Sequence, residues 1–422
     1  MQNSACMAGI TSPLRLPQSI RRTAMHALKV LHKKLKQACP DIHQKRLIIL
    51  IQATQALLTG QRLSLTQLGR CLQSKAKVKH NIKRIDRLLG NPHLHQERHE
   101  IYGFICRELL KGNTQPLIIV DWSDLTTERD YHLLRASVPV GGRALTLYEE
   151  SHPQKVIANP QIHKRFLRTL KRLLPDDCQP IVITDAGFRN TWFKQVRALG
   201  WDYVGRVRNR DMLKPSHKNA WKRCKTLYSK ATSKARYLGE YTTVRTNPLD
   251  THLYLIKQKP KGRHRYNQDG SRTTRGQSEK MAKRQKEPWL ITTSLCGAQN
   301  KAKQIVNLYK TRMQIEEAFR DTKSHRIGFS LSESLTRNRQ RLNILLLIGA
   351  LATFISWLMG ILAELKQWHR HYQSNSNKKR RVLSTFFIGC QAIKEKHLRP
   401  CRREYEKALS QIRVNASEIC YA

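Results

Sequence analysis

The sequence predicts an α/β protein of more than one module, and three observations carry that reading. At 422 residues the chain exceeds one ordinary compact domain and can fill two or three sizeable cores. Leu117–Val120 and Pro180–Thr184 are short, continuous apolar runs of the kind that form strands buried on both faces. Much of the chain before residue 100 and after residue 300 instead carries helical periodicity.

Taken in order, residues 1–40 are an N-terminal extension expected to be flexible in part. Arg15, Arg21 and Arg22 are not followed by an uninterrupted apolar stretch, so no secretory signal is expected. An apolar run Leu47–Leu58 then reads as a helix that breaks at Gly60, with Ser64 or Thr66 as N-cap of a second. In a third helix Val78, Ile82, Ile85 and Leu89 share one face, while Lys77, Lys79, His80, Lys83, Arg84 and Arg87 fill the rest. Gly90-Asn91-Pro92 ends it. Three short helices with a basic third suit a helix-turn-helix-like reader of DNA. An ordinary amphipathic helix with a solvated face is the plainer reading, but Asp86 alone opposes the cations, which favours Lys79, Lys83, Arg84 and Arg87 as DNA contacts.

From Pro116 the texture becomes α/β. The run Leu117–Val120 ends at Asp121; Leu133–Pro139 and Ala144–Glu149, separated by Gly141-Gly142, complete a three-strand meander. His163–Leu174 reads as a helix, Pro180–Thr184 as a strand ending at Asp185, Asn190–Leu199 as a helix and Tyr203–Val207 as a strand. A basic stretch follows, with the apolar run Leu253–Ile256 inside it; Lys259–Lys286 has the composition of an insertion or flexible loop. Trp289–Thr292 is again strand-like, and Ala302–Lys323 reads as one long helix. Ile344–Ala363 is twenty residues without a charge, enough to span a bilayer. Cations flank it on both sides, so nothing orients a span, and a helix buried in a large core is the expectation.

The 78 Lys and Arg outweigh 30 Asp and Glu, giving a net charge of +48 that is spread along the chain. Such self-repulsion is relieved by a polyanion, and nucleic acid gains affinity from many dispersed cations through counterion release. The ten cysteines show no CxxC pair, and the seventeen histidines no ligand spacing, so neither a disulfide framework nor a zinc site is expected and the histidines read as solvated. A reducing cytoplasm fits best.

Two aspartates at the ends of two buried strands form the chemical signal. Ligands of α/β sheets bind at that edge, where side chains leave the sheet while being held by it. One strand-end aspartate is ordinarily a cap of the following turn; two, followed by a Glu on a basic helix, are less easily so explained. Around Glu316 stand Tyr309, Arg312, Arg320 and Lys323, at offsets of seven and four before and four and seven after, which one continuous helix would place on a single face. Asp121, Asp185 and Glu316 are therefore the expected metal ligands and catalytic residues, and the cations the expected phosphate contacts. Three carboxylates suit two Mg²⁺ ions, with Mn²⁺ as a substitute, for an in-line phosphoryl displacement without a covalent protein intermediate.

Ile119-Val120-Asp121-Trp122-Ser123-Asp124, Thr184-Asp185-Ala186-Gly187-Phe188 and Tyr309-x2-Arg312-x3-Glu316-x6-Lys323 resemble the signature of DDE transposases of the bacterial insertion-sequence-four family. Within that family, the run Lys79–Gly90 most resembles the branch of the ten-type tetracycline-resistance transposon. The resemblance extends from about Cys39 to Gly389. It implies a ribonuclease-H-like catalytic domain, in parts 112–210 and 287–365, interrupted by a basic β-rich insertion at 211–286. A small all-α DNA-binding domain at 41–100 precedes it, and a C-terminal helical region at 366–422, for dimerisation or end binding, follows. It further implies cut-and-paste transposition through hairpinned ends, with Tyr309, Arg312, Arg320 and Lys323 on hairpin phosphates. Trp289 is then a candidate to stack on an extruded base, with a core tryptophan as the equal alternative, and Trp122 a second such candidate. The implied partners are the terminal inverted repeats and target DNA, bound by a homodimer in the bacterial cytoplasm at the nucleoid, with no membrane. A catalytically inactive, transposase-derived regulator is the alternative.

Overall fold

A computed structural model describes residues 20–125, 130–208, 211–259, 287–326, 328–377, 380–395 and 400–418. The expectations for residues 1–19 and for most of Lys259–Lys286 lie outside the described residues. Helices α1 (Ile20–Ala38), α2 (Gln44–Gly60), α3 (Leu65–Cys71), α4 (Val78–Leu89) and α5 (Pro92–Leu110) come first. Strands β1 (Leu117–Asp124), β2 (Tyr131–Pro139) and β3 (Ala144–Pro153) follow, then α6 (Pro160–Leu173), β4 (Ile181–Ile183), α7 (Asn190–Arg197) and β5 (Asp202–Val207). Next are β6 (Met212–Pro215), β7 (Lys222–Arg223), β8 (Arg236–Thr243), β9 (Leu249–Ile256) and β10 (Trp289–Thr293). The chain continues through α8 (Ala302–Lys310), α9 (Met313–Lys323), α10 (Arg339–Leu365), α11 (His369–Tyr372), α12 (Thr385–Lys394) and α13 (Arg402–Glu418).

All ten strands join one mixed sheet in the order β3-β2-β1-β4-β5-β10-β9-β8-β6-β7. β1, β2 and β3 form the expected antiparallel meander, and β1, β4 and β5 run parallel. The stretch 211–259 is thus no detached insertion: β9 pairs with β10, which pairs with β5, so its strands extend the same sheet. Alternating side chains assign the helices to two faces. On one, Phe193 of α7 stacks on Tyr203 of β5 at 4.4 Å and Phe166 of α6 meets Tyr148 of β3 at 5.2 Å. On the other, Arg135 of β2 ion-pairs with Glu149 of β3 at 2.6 Å and lies over the Phe319 ring of α9 at 4.9 Å.

α10 is long and apolar enough to cross a membrane, and its apolar stretch is buried inside the protein. It packs against α2, α5, α12, α13 and β3, and Asn343 accepts hydrogen bonds from the Ser151 amide at 2.8 Å and hydroxyl at 2.9 Å. A helix apolar all round has found protein on all sides.

Two further expectations change, for Val78 and for the histidines, and two are filled in. Part of the N-terminal extension is helix α1, whose Ala27, Leu28, Leu31 and Leu35 are in the core, and α13 buries Tyr405, Leu409 and Ile412. Ser64 occupies the N-cap position of α3 but makes no side-chain capping bond. Val78 is 51% exposed, because the buried face of α4 is centred on Asn81, Ile85, Leu88 and Leu89. Finally, not all histidines are solvated: His132, His152 and His163 are buried, since strand and helix faces against the sheet take whatever residue the register puts there.

Candidate active site

Ile119 of β1 and Ile183 of β4 are register partners in a parallel pair. Two residues further along each chain stand Asp121 and Asp185, on neighbouring strand paths about 4.8 Å apart. Asp121 is not at the end of its strand as expected: β1 continues to Asp124 because β2 pairs with it as far as His132. Opposite Asp121 in that pairing is Arg135, which reaches Thr322, so Asp121 faces the α8–α9 side.

Asp121 is buried and accepts a hydrogen bond from the Trp122 amide at 2.8 Å. Burial, then the charge of Asp185, push its carboxyl up to about 8; Arg312 and the Trp122 amide oppose this, and Glu316 adds to it. Asp185 accepts from the Gly187 amide at 2.8 Å, which fixes the turn after β4. Arg312 stands between two of the carboxylates, at 3.6 Å from Asp121 and 2.8 Å from Glu316. Burial alone would lower its guanidinium, but Tyr309, Asp121, Glu316 and Asp185 together raise it. Among the described residues, no group of three or more His, Cys, Asp or Glu side chains is drawn close enough to hold a metal ion. Carboxylate oxygens are the donors a hard divalent cation takes, and the raised carboxyl of Asp121 marks a place that Arg312 leaves short of positive charge.

The long helix expected over Ala302–Lys323 is two helices. Thr311 donates its hydroxyl to the Leu308 carbonyl at 2.6 Å, a local bond that bends helices, and Arg312 then opens α9. Tyr309 ends up 3% exposed with its ring edge-on to Trp289 at 5.1 Å, and burial raises its phenol. Lys323 donates to Ser123 Oγ at 2.8 Å and the Asp124 carbonyl at 3.0 Å; burial lowers its ammonium. Arg320, 57% exposed, ion-pairs with Glu317 at 2.8 Å and not with Glu316. Trp122 donates its indole N–H to His163 Nε2 at 3.2 Å. In α4, Lys79, Lys83 and Arg87 are exposed, whereas Arg84 is half-buried and bonds Gln52 at 3.1 Å.

Two neighbours of the site were not singled out by the sequence. Arg206 of β5 is close enough to Tyr309 to influence it and donates to the Glu287 and Pro288 carbonyls just before Trp289. A lone cation in the otherwise uncharged stretch Tyr203–Val207 was the available signal. His163 was hidden because nothing local to Trp122 announces its partner.

Residues 112–353, more than half of the chain, match the family described as "Transposase DDE domain". The chain belongs to this DDE transposase family. The DDE region runs from just before β1 into α10, so it contains Asp121, Asp185 and Glu316. Membership implies phosphoryl-transfer nuclease activity, and DDE transposases generally use divalent metals. Among solved structures, a cryo-EM synaptic complex of piggyBac transposase with hairpin DNA is similar at 12% identity and a TM-score of 0.39, covering 93% of this chain and 85% of that one. No curated protein matches.

Proposed function

We propose that the protein binds the terminal inverted repeats of its own insertion sequence and moves it by cut and paste, through nicking, hairpin formation and strand transfer. The observation that carries this reading is the placement of Asp121 and Asp185 on adjacent parallel strand paths, with Glu316 brought to Asp121 through their shared partner Arg312. The ribonuclease-H-like reading of the core is supported by the strand order β3-β2-β1-β4-β5, three strands antiparallel and then two parallel additions. The insertion-sequence-four assignment rests on the Tyr309, Arg312, Glu316 and Lys323 spacing.

Asp121, Asp185 and Glu316 would hold two Mg²⁺ ions, or Mn²⁺ in their place. Bound there, the metal supplies Lewis-acid stabilisation of an in-line displacement at phosphorus. Arg312, Arg320 and Lys323 hold phosphates of the DNA end, with Tyr309 beside them. Trp289, edge-on to Tyr309, would stack on an unstacked base, and Trp122 would do so only by leaving His163. Lys79, Lys83, Arg84 and Arg87 of α4 contact the terminal repeat, with Arg84 leaving Gln52 to do so. Cut-and-paste joins two ends, so the working form is a homodimer on two DNA ends, in the bacterial cytoplasm and at the nucleoid. The burial of α10 supports a function without a membrane. A non-catalytic, transposase-derived DNA-binding regulator is the second reading, favoured by one observation: Arg312 stands between Asp121 and Glu316.

Labelled duplex carrying the terminal repeat, incubated with Mg²⁺ or with EDTA and resolved on a denaturing gel, tests both. The expected outcome is metal-dependent nicking and a hairpin, abolished by Asp121→Ala, Asp185→Ala or Glu316→Ala with end binding retained. Binding without cleavage in Mg²⁺ and in Mn²⁺ would select the regulator.

A further inference from the structure

The helical layer on the other face of the sheet reaches the same edge as Asp121 and Asp185. α6 is connected to β4 through its C-terminal end, so it runs back along the sheet and its first turn lies level with the carboxylates. The contacts confirm that placement. His163, in this first turn, stacks on Phe188 at 5.3 Å and accepts from Trp122, the residue after Asp121.

From that point the outward face of α6 is a row of cations. Lys164, Arg165, Arg168, Lys171 and Arg172 recur at helical spacing and are exposed, while Phe166, Leu167, Leu170 and Leu173 are buried. The helix contains no Asp or Glu. Arg165 approaches Glu150 at 3.9 Å, and no ion pair joins Lys164, Arg168 or Arg172 to a carboxylate among the described residues. A solvated surface ordinarily intersperses both signs, and this one does not. Lys194 and Arg197 on the neighbouring α7 are also exposed and extend the same sign. From Lys164 to Arg172 the row measures about 12 Å, which at 3.4 Å per phosphate spans three to four phosphates of one strand.

We propose that this α6 row binds the backbone of the donor duplex flanking the element, on the far side of the scissile phosphate from the end held by α8 and α9. The inference rests on the transposase reading above. It follows from the two faces: a duplex cut at the carboxylate edge continues past it, and α6 supplies the uncompensated positive charge on the opposite side. The commitment to phosphate follows from cations spaced along the helix with no Asp or Glu among them, a row that matches the uniform charge of a strand.

The test compares Lys164→Gln/Arg168→Gln/Arg172→Gln with a control, Lys29→Gln/Lys33→Gln/Lys36→Gln, which removes the same charge from an exposed row on α1. Each is assayed against two duplexes carrying the terminal repeat, one with 20 base pairs of flank and one ending at the cleavage position. For the flanked duplex, the α6 variant is expected to bind at least about tenfold more weakly in 0.15 M salt, with a salt slope shallower by about two to three. The flush-ended duplex should bind as in the wild type, which also shows that the variant is folded. Equal weakening on both duplexes, no weakening on either, or the same loss in the α1 control would overturn the proposal. A defect confined to capture of target DNA would reassign the row to target and overturn the flank assignment. Failure of the wild-type protein to bind either duplex would instead sink the transposase reading itself.

Discussion

His163 is buried at a place where chemistry is expected, yet its contacts commit it to structure. Its Nε2 accepts from Trp122, and its ring lies against Phe188 and Trp192. Burial, followed by the nearby His152, lowers its pKa to about 4 from an ordinary value of 6.5. The folded value lies below the unfolded one, so the stability due to neutral His163 is complete above about pH 6.5 and is lost as pH falls towards 4. At pH 5 the loss is about 2 kcal/mol. Urea unfolding at pH 7.5 and pH 5 should show the wild type losing about that much more than His163→Gln; equal losses would mean the ring does not resist protonation. Lys323 makes a second residue-scale case. Its ties to Ser123 and the Asp124 carbonyl aim it at the edge that carries Asp121. Lys323→Ala should slow hairpin formation or resolution at least about tenfold while sparing the first nick. Equal slowing of every step, followed in single-turnover gels, would make the lysine a folding residue.

At the scale of elements, the crossing of α10 and α12 depends on two glycines. A Cβ on Gly389 would lie 1.7 Å from the Ser356 carbonyl oxygen, and one on Gly360 would lie 2.1 Å from that of Thr385. Both obstacles are backbone, so the helices must separate. Gly389→Ala should cost about 3 kcal/mol, the upper end for overpacking, read as a lower thermal midpoint. An unchanged midpoint would show that the helices can shift freely. The elements that were legible in the sequence share one property: their signal is local. β1 and β4 hold the continuous apolar runs Leu117–Val120 and Ile181–Ile183, β10 starts with Trp289, Leu290 and Ile291, and the meander is punctuated by Gly141 and Gly142. What was not legible depends on partners far along the chain. β1 outlasts Asp121 because β2 pairs with it, and α4 turns Val78 outward because of what it packs on. The break at Thr311 needed only a hydroxyl able to reach a carbonyl three residues back, but that choice looks the same in sequence as a continuous helix. Asp121, Asp185 and Glu316 stood out as candidates because two apolar runs stop at the aspartates and a basic helix carries the glutamate; that β1 runs on past Asp121, and that Arg312 stands between Asp121 and Glu316, were not legible.

Over the whole molecule, both ends of the described chain close around α10. α1 packs on α2, α12 and α13, and Lys34 of α1 pairs with Glu108 of α5 at 2.7 Å and Glu406 of α13 at 2.8 Å. A chain stopped after residue 380 would lack α12 and α13 and leave one side of α10 bare. It should sediment as aggregate or with membranes, where the full chain does not; recovery of the truncated form as a monodisperse species with the full chain's melting point would contradict this. The arrangement also has a consequence in time. On the ribosome, the 27 residues of α10 emerge after α2, α5 and β3 but before α12 and α13, which cover the remaining side. At roughly 5–20 residues per second, synthesis of residues 366–418 takes about 3–10 s. Throughout that interval the cell's machinery for nascent membrane spans meets a sequence that satisfies its length and composition. Until α12 and α13 arrive, one side of α10 stays uncovered, so for those seconds each copy depends on its earlier helices and sheet alone to shield that apolar stretch.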